Sequence, residues 1–213
     1  SISSSERKFG SSAASFNRGS SQYLFTDSGS GNIVEQGASF SYSAWYYLDV
    51  ANITGSSRYF VMESTQNDTV GGSQSHPISL GLRDLSDGNG DVAQVYTSVG
   101  NSSDQHYEFS TPTQEWVNVI TTYDSSTDTL NSYLNGTLVT RLATDDETPG
   151  TIIDAGNGLV IGGHRGGTGR NFQGFIDDVA VWDGALSSSE IARIQIEPVV
   201  AIPEPSSTLT LFG

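Results

Sequence analysis

Residues 171–194, NFQGFIDDVAVWDGALSSSEIARI, join a run of strand-forming side chains to the start signals of a helix. Phe172, Phe175, Ile176, Val179, Val181 and Trp182 carry the β-branched and aromatic content of a buried strand. Asp183-Gly184 is a turn signal, and Ser187 stands three residues before Glu190, the spacing of a capping box. Ile191 and Ile194 then follow on one helical face. Within the strand the apolar positions change parity: Gly174 and Ile176 are even-numbered, Val179 and Val181 odd. Side chains alternate strictly between the faces of a strand, so Ile176 and Val181 share a face only if an extra residue is inserted between them. A β-bulge is therefore predicted at Asp177-Asp178.

The rest of the chain repeats the theme of short apolar runs divided by Gly, Asn, Asp and Ser. The cleanest alternation is Ala38–Val50, where Phe40, Tyr42, Ala44, Tyr46 and Leu48 share the face predicted to be core. Ser41, Ser43, Trp45, Tyr47 and Asp49 share the other. Further strands are predicted at Tyr59–Met62, Ile78–Leu82, Asp91–Val99, Trp116–Tyr123, Thr129–Leu134 and Leu159–Gly163. Asn135-Gly136 is the strongest hairpin signal, because a type I′ turn needs positive φ at both central residues. Trp116 and Trp182 are expected in the core. This pattern points to an all-β sandwich. At 213 residues the chain divides into one domain over 1–196, a linker over 197–202 and a tail over 203–213. Nine Lys and Arg stand against 24 Asp and Glu, a formal net charge of −15, which excludes an electrostatic footprint for nucleic acid or anionic membrane. The absence of cysteine excludes thiolate chemistry, disulfides and cysteine-held zinc.

The closing stretch resembles the final motif of LamG-like jelly-roll domains, within the concanavalin A-like lectin/glucanase superfamily. Phe172, Gly174, Ile176, Asp177, Asp178, Val179, Val181, Trp182, Ala185, Leu186, Ser187, Glu190 and Ile191 fall on it in order. Phe9-Gly10, Ala13, Phe16-Asn17 and Tyr23-Leu24 match the family's opening strands, although Arg18 stands where the pattern has glycine. Trp116, Val119, Tyr133, Asn135 and Gly136 match a segment midway. The resemblance implies a two-sheet antiparallel jelly-roll sandwich with one short C-terminal helix.

It also implies what chemistry to look for. Glucanases of this fold carry an E-x-D-x-x-E strand that sets paired carboxylates on one face. No glutamate here begins that motif, Glu63 having Thr65 in place of the aspartate, so a non-enzyme is expected. Jelly rolls of this superfamily often hold a structural calcium; Asp177 or Asp178 is the best anchor, with Asn17 as a partner across the sandwich. Otherwise one aspartate caps the bend through backbone N–H groups while the other faces solvent. Asp84, Asp87, Asn89 and Asp91 make a second oxygen-rich cluster, read as a turn. For sugar, an exposed aromatic platform with nearby polar groups is the requirement. Trp45 and Tyr47 are the candidates on a strand, and Tyr107, His164, Arg165, Arg170 and Asn171 are candidates on a rim. Against this, the outer face of such a sandwich is often covered by a terminal strand or loop, and packing is the stronger expectation for Trp45.

The tail, AIPEPSSTLTLFG, changes character. Pro203, Glu204 and Pro205, followed by the start of an apolar run, resemble a PEP-CTERM sorting signal, which an exosortase system of Gram-negative bacteria processes. The apolar part stops short of the roughly 20 residues that span a bilayer, so either the sequence ends inside such a signal or the tripeptide is fortuitous; its place after the domain favours the signal. The expectation is a binding or adhesion module, extracellular or on the outer cell surface, with glycan as ligand and sorting machinery as a second partner. The alternative is a structural matrix or envelope protein with no dedicated ligand, and a hydrolase or lyase ranks third.

Overall fold

The computed structural model describes residues 1–27, 33–35, 37–53, 58–65, 78–83, 93–98, 106–139, 158–164, 169–199 and 209–211. Their strands form two antiparallel sheets. Sheet A runs, edge to edge, β1 (Ile2–Ser3), β2 (Ala13–Phe16), β13 (Gly174–Trp182), β4 (Phe40–Leu48), β9 (Trp116–Asp124), β10 (Thr129–Leu134) and β11 (Thr137–Leu138), with β14 (Leu209–Leu211) also paired to β13. Sheet B runs β3 (Leu24–Asp27), β12 (Gly158–Ile161), β5 (Arg58–Thr65), β6 (Ser79–Arg83), β7 (Ala93–Ser98) and β8 (His106–Thr111). One short helix, α1 (Ser188–Ile194), follows β13. This is the two-sheet jelly roll with a C-terminal helix that the sequence predicts.

The core lies between the sheets. Phe40, Tyr42, Ala44, Tyr46 and Leu48, the predicted inner face of β4, join Val61, Met62, Leu80, Leu82, Leu159 and Ile161 of sheet B in one buried cluster. Two tyrosine hydroxyls in that cluster find partners on sheet B: Tyr42 donates to the Ser79 carbonyl at 3.1 Å, and Tyr46 bonds the Thr111 hydroxyl at 2.9 Å. Burial pushes the Tyr46 hydroxyl far above the usual tyrosine range, so it stays neutral.

The bulge is present where parity required it. The pairing of β13 with β4 shifts between Asp177 and Ala180, and Asp178 takes a positive φ of 45°. Ile176 before the bulge and Val179 and Val181 after it all face the core. Ala180 and Trp182 are thereby turned to the outer face of sheet A, where Ile191 and Ile194 of α1 cover them together with Ile120. Trp182 is buried, but beneath the helix rather than between the sheets. Trp116 departs further from expectation: it is only partly buried, on the outer face. The capping box is complete, with Ser187 Oγ accepting from Glu190 N–H and the Glu190 carboxylate accepting from Ser187 N–H. Asn135 and Gly136 both have positive φ, 49° and 77°, and close the β10–β11 hairpin. Strand β8, which is not among the strands predicted from the sequence, carries Tyr107 at the edge of sheet B. Among the described residues no helix is long and apolar enough to cross a membrane.

Candidate functional site

Strand register builds a row of aromatic rings on the outer face of sheet A. Phe175 of β13 pairs with Tyr47 of β4, and Tyr47 pairs with Trp116 of β9. Their centroids are 5.9 and 6.0 Å apart, each pair tilted by 64°. All three side chains are partly exposed. Gly174 sets the level of this row: its φ is +133°, and a Cβ there would lie 2.0 Å from the Tyr47 carbonyl oxygen. Exposed Asp49 and Glu115 stand within two residues of the rings in sequence and supply carboxylates at the same end of the sheet. Apolar faces to stack on, flanked by acceptors for hydroxyls, are what a sugar requires.

Trp45 lies one step further along β4, opposite Asp177, and is not part of this open surface. It is 4% exposed. The N-terminal segment crosses over it: Phe9 meets its ring edge-on at 5.9 Å, and Lys8 Nζ sits 3.8 Å from the ring centroid. Asp177 holds this strap, its Oδ2 accepting from the N–H groups of Lys8 and Phe9 at 2.9 and 3.1 Å. Trp45 is thus covered by the chain itself, whereas Tyr47 keeps a partly exposed ring. The indole Nε1–H of Trp45 is buried without a hydrogen-bond partner.

The aspartates at the bulge are engaged by backbone. Besides the strap, Asp177 accepts from Asp178 N–H through Oδ1 at 3.0 Å. Asp178 accepts from Val199 N–H through Oδ2 at 3.1 Å. Burial is the main cause that raises the Asp178 carboxyl to about 6; the charge of Asp177 adds to it and the Val199 bond opposes it. Asn17 is elsewhere. Its Oδ1 caps the 3₁₀ turn Arg18–Ser20 by accepting from Gly19 N–H. It directly follows β2, the strand beside β13 in the same sheet, and is not across the sandwich. Since Phe16 pairs with Gly174 and Ala14 with Ile176, Asn17 lies past one end of that pairing and Asp177 past the other. At the rise of a strand that separates them by roughly 13 Å. A calcium ion wants six to eight oxygens that converge and face no competing donors. Asp177, Asp178 and Asn17 do not fit that requirement.

The rim divides. Asn171 is 2% exposed, and its Nδ2 donates to the Gln22 carbonyl, a strut that fastens the loop to the 3₁₀ turn rather than a ligand contact. Arg170 is exposed and reaches His164 Nε2 at 3.2 Å. An arginine can only donate, so that contact is a hydrogen bond only where His164 Nε2 carries no proton. The His164 ring lies 5.0 Å from Phe60, and its Nε2 is 3.7 Å from the fully buried Glu63. Arg18, found where the family pattern has glycine, stacks on Tyr59 at 4.0 Å and donates to the carbonyls of Arg58 and Gly169, clasping the same rim. Tyr107 is on β8, away from this group in sequence and strand order. Arg165, the cluster from Asp84 to Asp91, and Pro203, Glu204 and Pro205 lie outside the described residues. The sequence reading missed Trp116 and Phe175 as surface aromatics. Register would have revealed them, since each is the cross-strand neighbour of Tyr47.

Comparison with known proteins agrees with this architecture. A search of curated protein sequences finds no match. Among solved structures, domain 4 of AbnA, a GH43 extracellular arabinanase from Geobacillus stearothermophilus determined with arabinotriose, superposes with a TM-score of 0.57 at 18% identity. That match covers 92% of this chain and 81% of the other. A putative carbohydrate binding protein from Bacteroides ovatus gives 0.55 at 21% identity, covering 80% of this chain and 44% of the other. The heptameric SAP-like pentraxin from Limulus polyphemus gives 0.55 at 17% identity, over 88% and 91%. At these identities the likeness is one of fold. The family described as the concanavalin A-like lectin/glucanases superfamily matches residues 18–192, and the chain belongs to it.

Proposed function

We propose that this domain is a non-catalytic glycan-binding module whose platform is the row Phe175–Tyr47–Trp116. The carrying observation is that three partly exposed rings stand in register on adjacent strands, beside exposed Asp49 and Glu115. Two similar folds support the ligand class: one was determined with arabinotriose, and the other is described as a putative carbohydrate binding protein. The absence of an E-x-D-x-x-E strand supports binding without catalysis, and Glu63, the carboxylate beside His164, is closed off from a substrate by complete burial. Export to the cell surface through a signal around Pro203-Glu204-Pro205 extends the reading, on the resemblance of that tail alone.

The test is a titration of the intact chain with a panel of soluble polysaccharides, read by thermal shift, since a ligand held only by the folded state raises the melting temperature with concentration. Tyr47→Ala and Trp116→Ala are each expected to weaken binding of the active glycan by about two- to twelvefold, in line with aromatic contact losses of ~0.5–1.5 kcal/mol per ring. Binding that survives both substitutions would remove the row as the site. No binding to any glycan would favour the structural reading, which the strap over Trp45 supports.

A further inference from the structure

A second recess, about 560 Å³ in volume, opens where the edges of the two sheets meet. Its walls come from both sheets: Ala13 of β2, Leu24 of β3, Ile161 of β12, Ile176 and Val179 of β13, and Val199 from the segment after α1. The volume is in the range of small-molecule sites. Its chemistry differs from that of the aromatic row. Among the described residues no aromatic side chain lines it, and its apolar walls are aliphatic.

Its polar lining is Ser1, Ser12 and the aspartate pair at the bulge; the Ser1 ammonium is held on the Ser15 carbonyl at 3.1 Å, which leaves two carboxylates against one cation. Both oxygens of Asp177 are occupied by three backbone N–H groups. Asp178 uses Oδ2 for Val199, while its Oδ1 has no hydrogen-bond partner among the described residues. That oxygen is open to solvent beside an aliphatic wall, with a second carboxylate adjacent, a setting that favours a positively charged donor over a neutral one. The whole chain, at −15, attracts cations and repels anions over a distance.

We propose that this recess binds an aliphatic primary amine, with its ammonium group on Asp178 Oδ1 and its alkyl chain between β2, β3, β12 and β13. An alcohol of the same length could fill the walls but would lack the charge. A fatty carboxylate would meet Asp177 and Asp178 as like charges.

The proposal is independent of the glycan platform and is tested on the intact chain at pH 7.5 with butylamine, hexylamine, octylamine, octanol and octanoate. Binding is read by calorimetry and by NMR shifts of the methyl groups of Ala13, Ile176 and Val179. Affinity is expected to rise about fourfold per added methylene, the increment for burying that group. Octanol should bind at least about tenfold more weakly than octylamine, the scale of one charge-assisted contact, and octanoate not at all. Asp178→Asn keeps the shape and the acceptor for Val199, and should remove the preference for amine over alcohol. Equal binding of amine and alcohol, an unchanged preference in Asp178→Asn, shifts confined to the Tyr47 and Trp116 region, or no binding would each overturn it.

Discussion

Removing the Asp177 carboxylate should lift the strap from Trp45, and the size of the effect can be worked out from its contacts. Asp177→Ala deletes the acceptor for Lys8, Phe9 and Asp178 N–H groups. A donor left buried without a partner costs about 1–3 kcal/mol. Lys8 and Phe9 can escape that penalty by moving into water, but only by giving up what they make on Trp45. The edge-on Phe9–Trp45 contact is worth ~0.5–1.5 kcal/mol, and the Lys8 ammonium over the indole adds about 0.5–1 kcal/mol. The smaller of the two penalties governs, so the loss should be about 2 kcal/mol and should appear as local release of residues 7–10. The assay pairs urea denaturation with hydrogen exchange of the Trp45 Nε1–H, which the native fold buries without a partner. Faster exchange at that indole than at Trp182, together with the stability loss, is the expected result. An equal stability loss with Trp45 still protected would place the role of Asp177 in the bulge and refute the strap argument.

Three further outcomes follow from the same geometry. Gly174→Ala should cost more than about 4 kcal/mol or prevent folding, because it adds strain at φ +133° to a 2.0 Å clash with the Tyr47 carbonyl; native-like urea stability would contradict the register at that point. Burial raises the Asp178 carboxyl from the usual carboxylate range to about 6, so the folded state holds more protons in that window and stability falls as pH rises through it. Asp178→Asn, suited to a positive φ, should therefore stabilise by about 1 kcal/mol at pH 7.5, after allowing for solvent reaching the half-exposed carboxyl, and by nothing near pH 4; equal effects at both values would exclude the ionisation. Calcium and EDTA should leave the melting temperature unchanged, given how Asp177 and Asn17 use their oxygens, and a calcium-dependent rise would reopen that site.

What could be read in advance were features set by neighbours in sequence. The faces of β4, the capping box at Ser187 and the turn at Asn135-Gly136 depend on spacings of one to three residues, and each is as the spacing demanded. The bulge was legible because its cause, a parity change, is itself local. The site was less so. That Tyr47 would be flanked by Phe175 and Trp116 depends on the register of three strands far apart in sequence. That Trp45 would be covered depends on a bond from Asp177 to a segment 168 and 169 residues earlier. Alternation assigns Trp45 and Tyr47 to the same face, but cannot say which of them another segment will lie on. Trp116 shows the converse: apolar bulk alone sent it to the core, while its place in the alternation beside Val117 and Val119, both core residues, sends it outward.

The extra residue in β13 also acts as a shift of reading frame for side chains. Upstream of Asp178 the strand presents Phe175 outward, in the frame that completes the aromatic row; downstream it presents Ala180 and Trp182 outward, in the frame that seats α1. One strand thereby serves two different coverings of the same sheet. Deleting Asp178 would remove the bulge yet keep both coverings, since plain alternation along the eight residues left sets Phe175, Ala180 and Trp182 outward and Ile176, Val179 and Val181 inward. One residue more or fewer on either side of a retained bulge would instead turn half the strand over, sending Val179 and Val181 outward beneath the helix or Phe175 away from the row at Tyr47. The nine residues of β13 thus fill eight places opposite β4, and the bulge absorbs the one that is surplus.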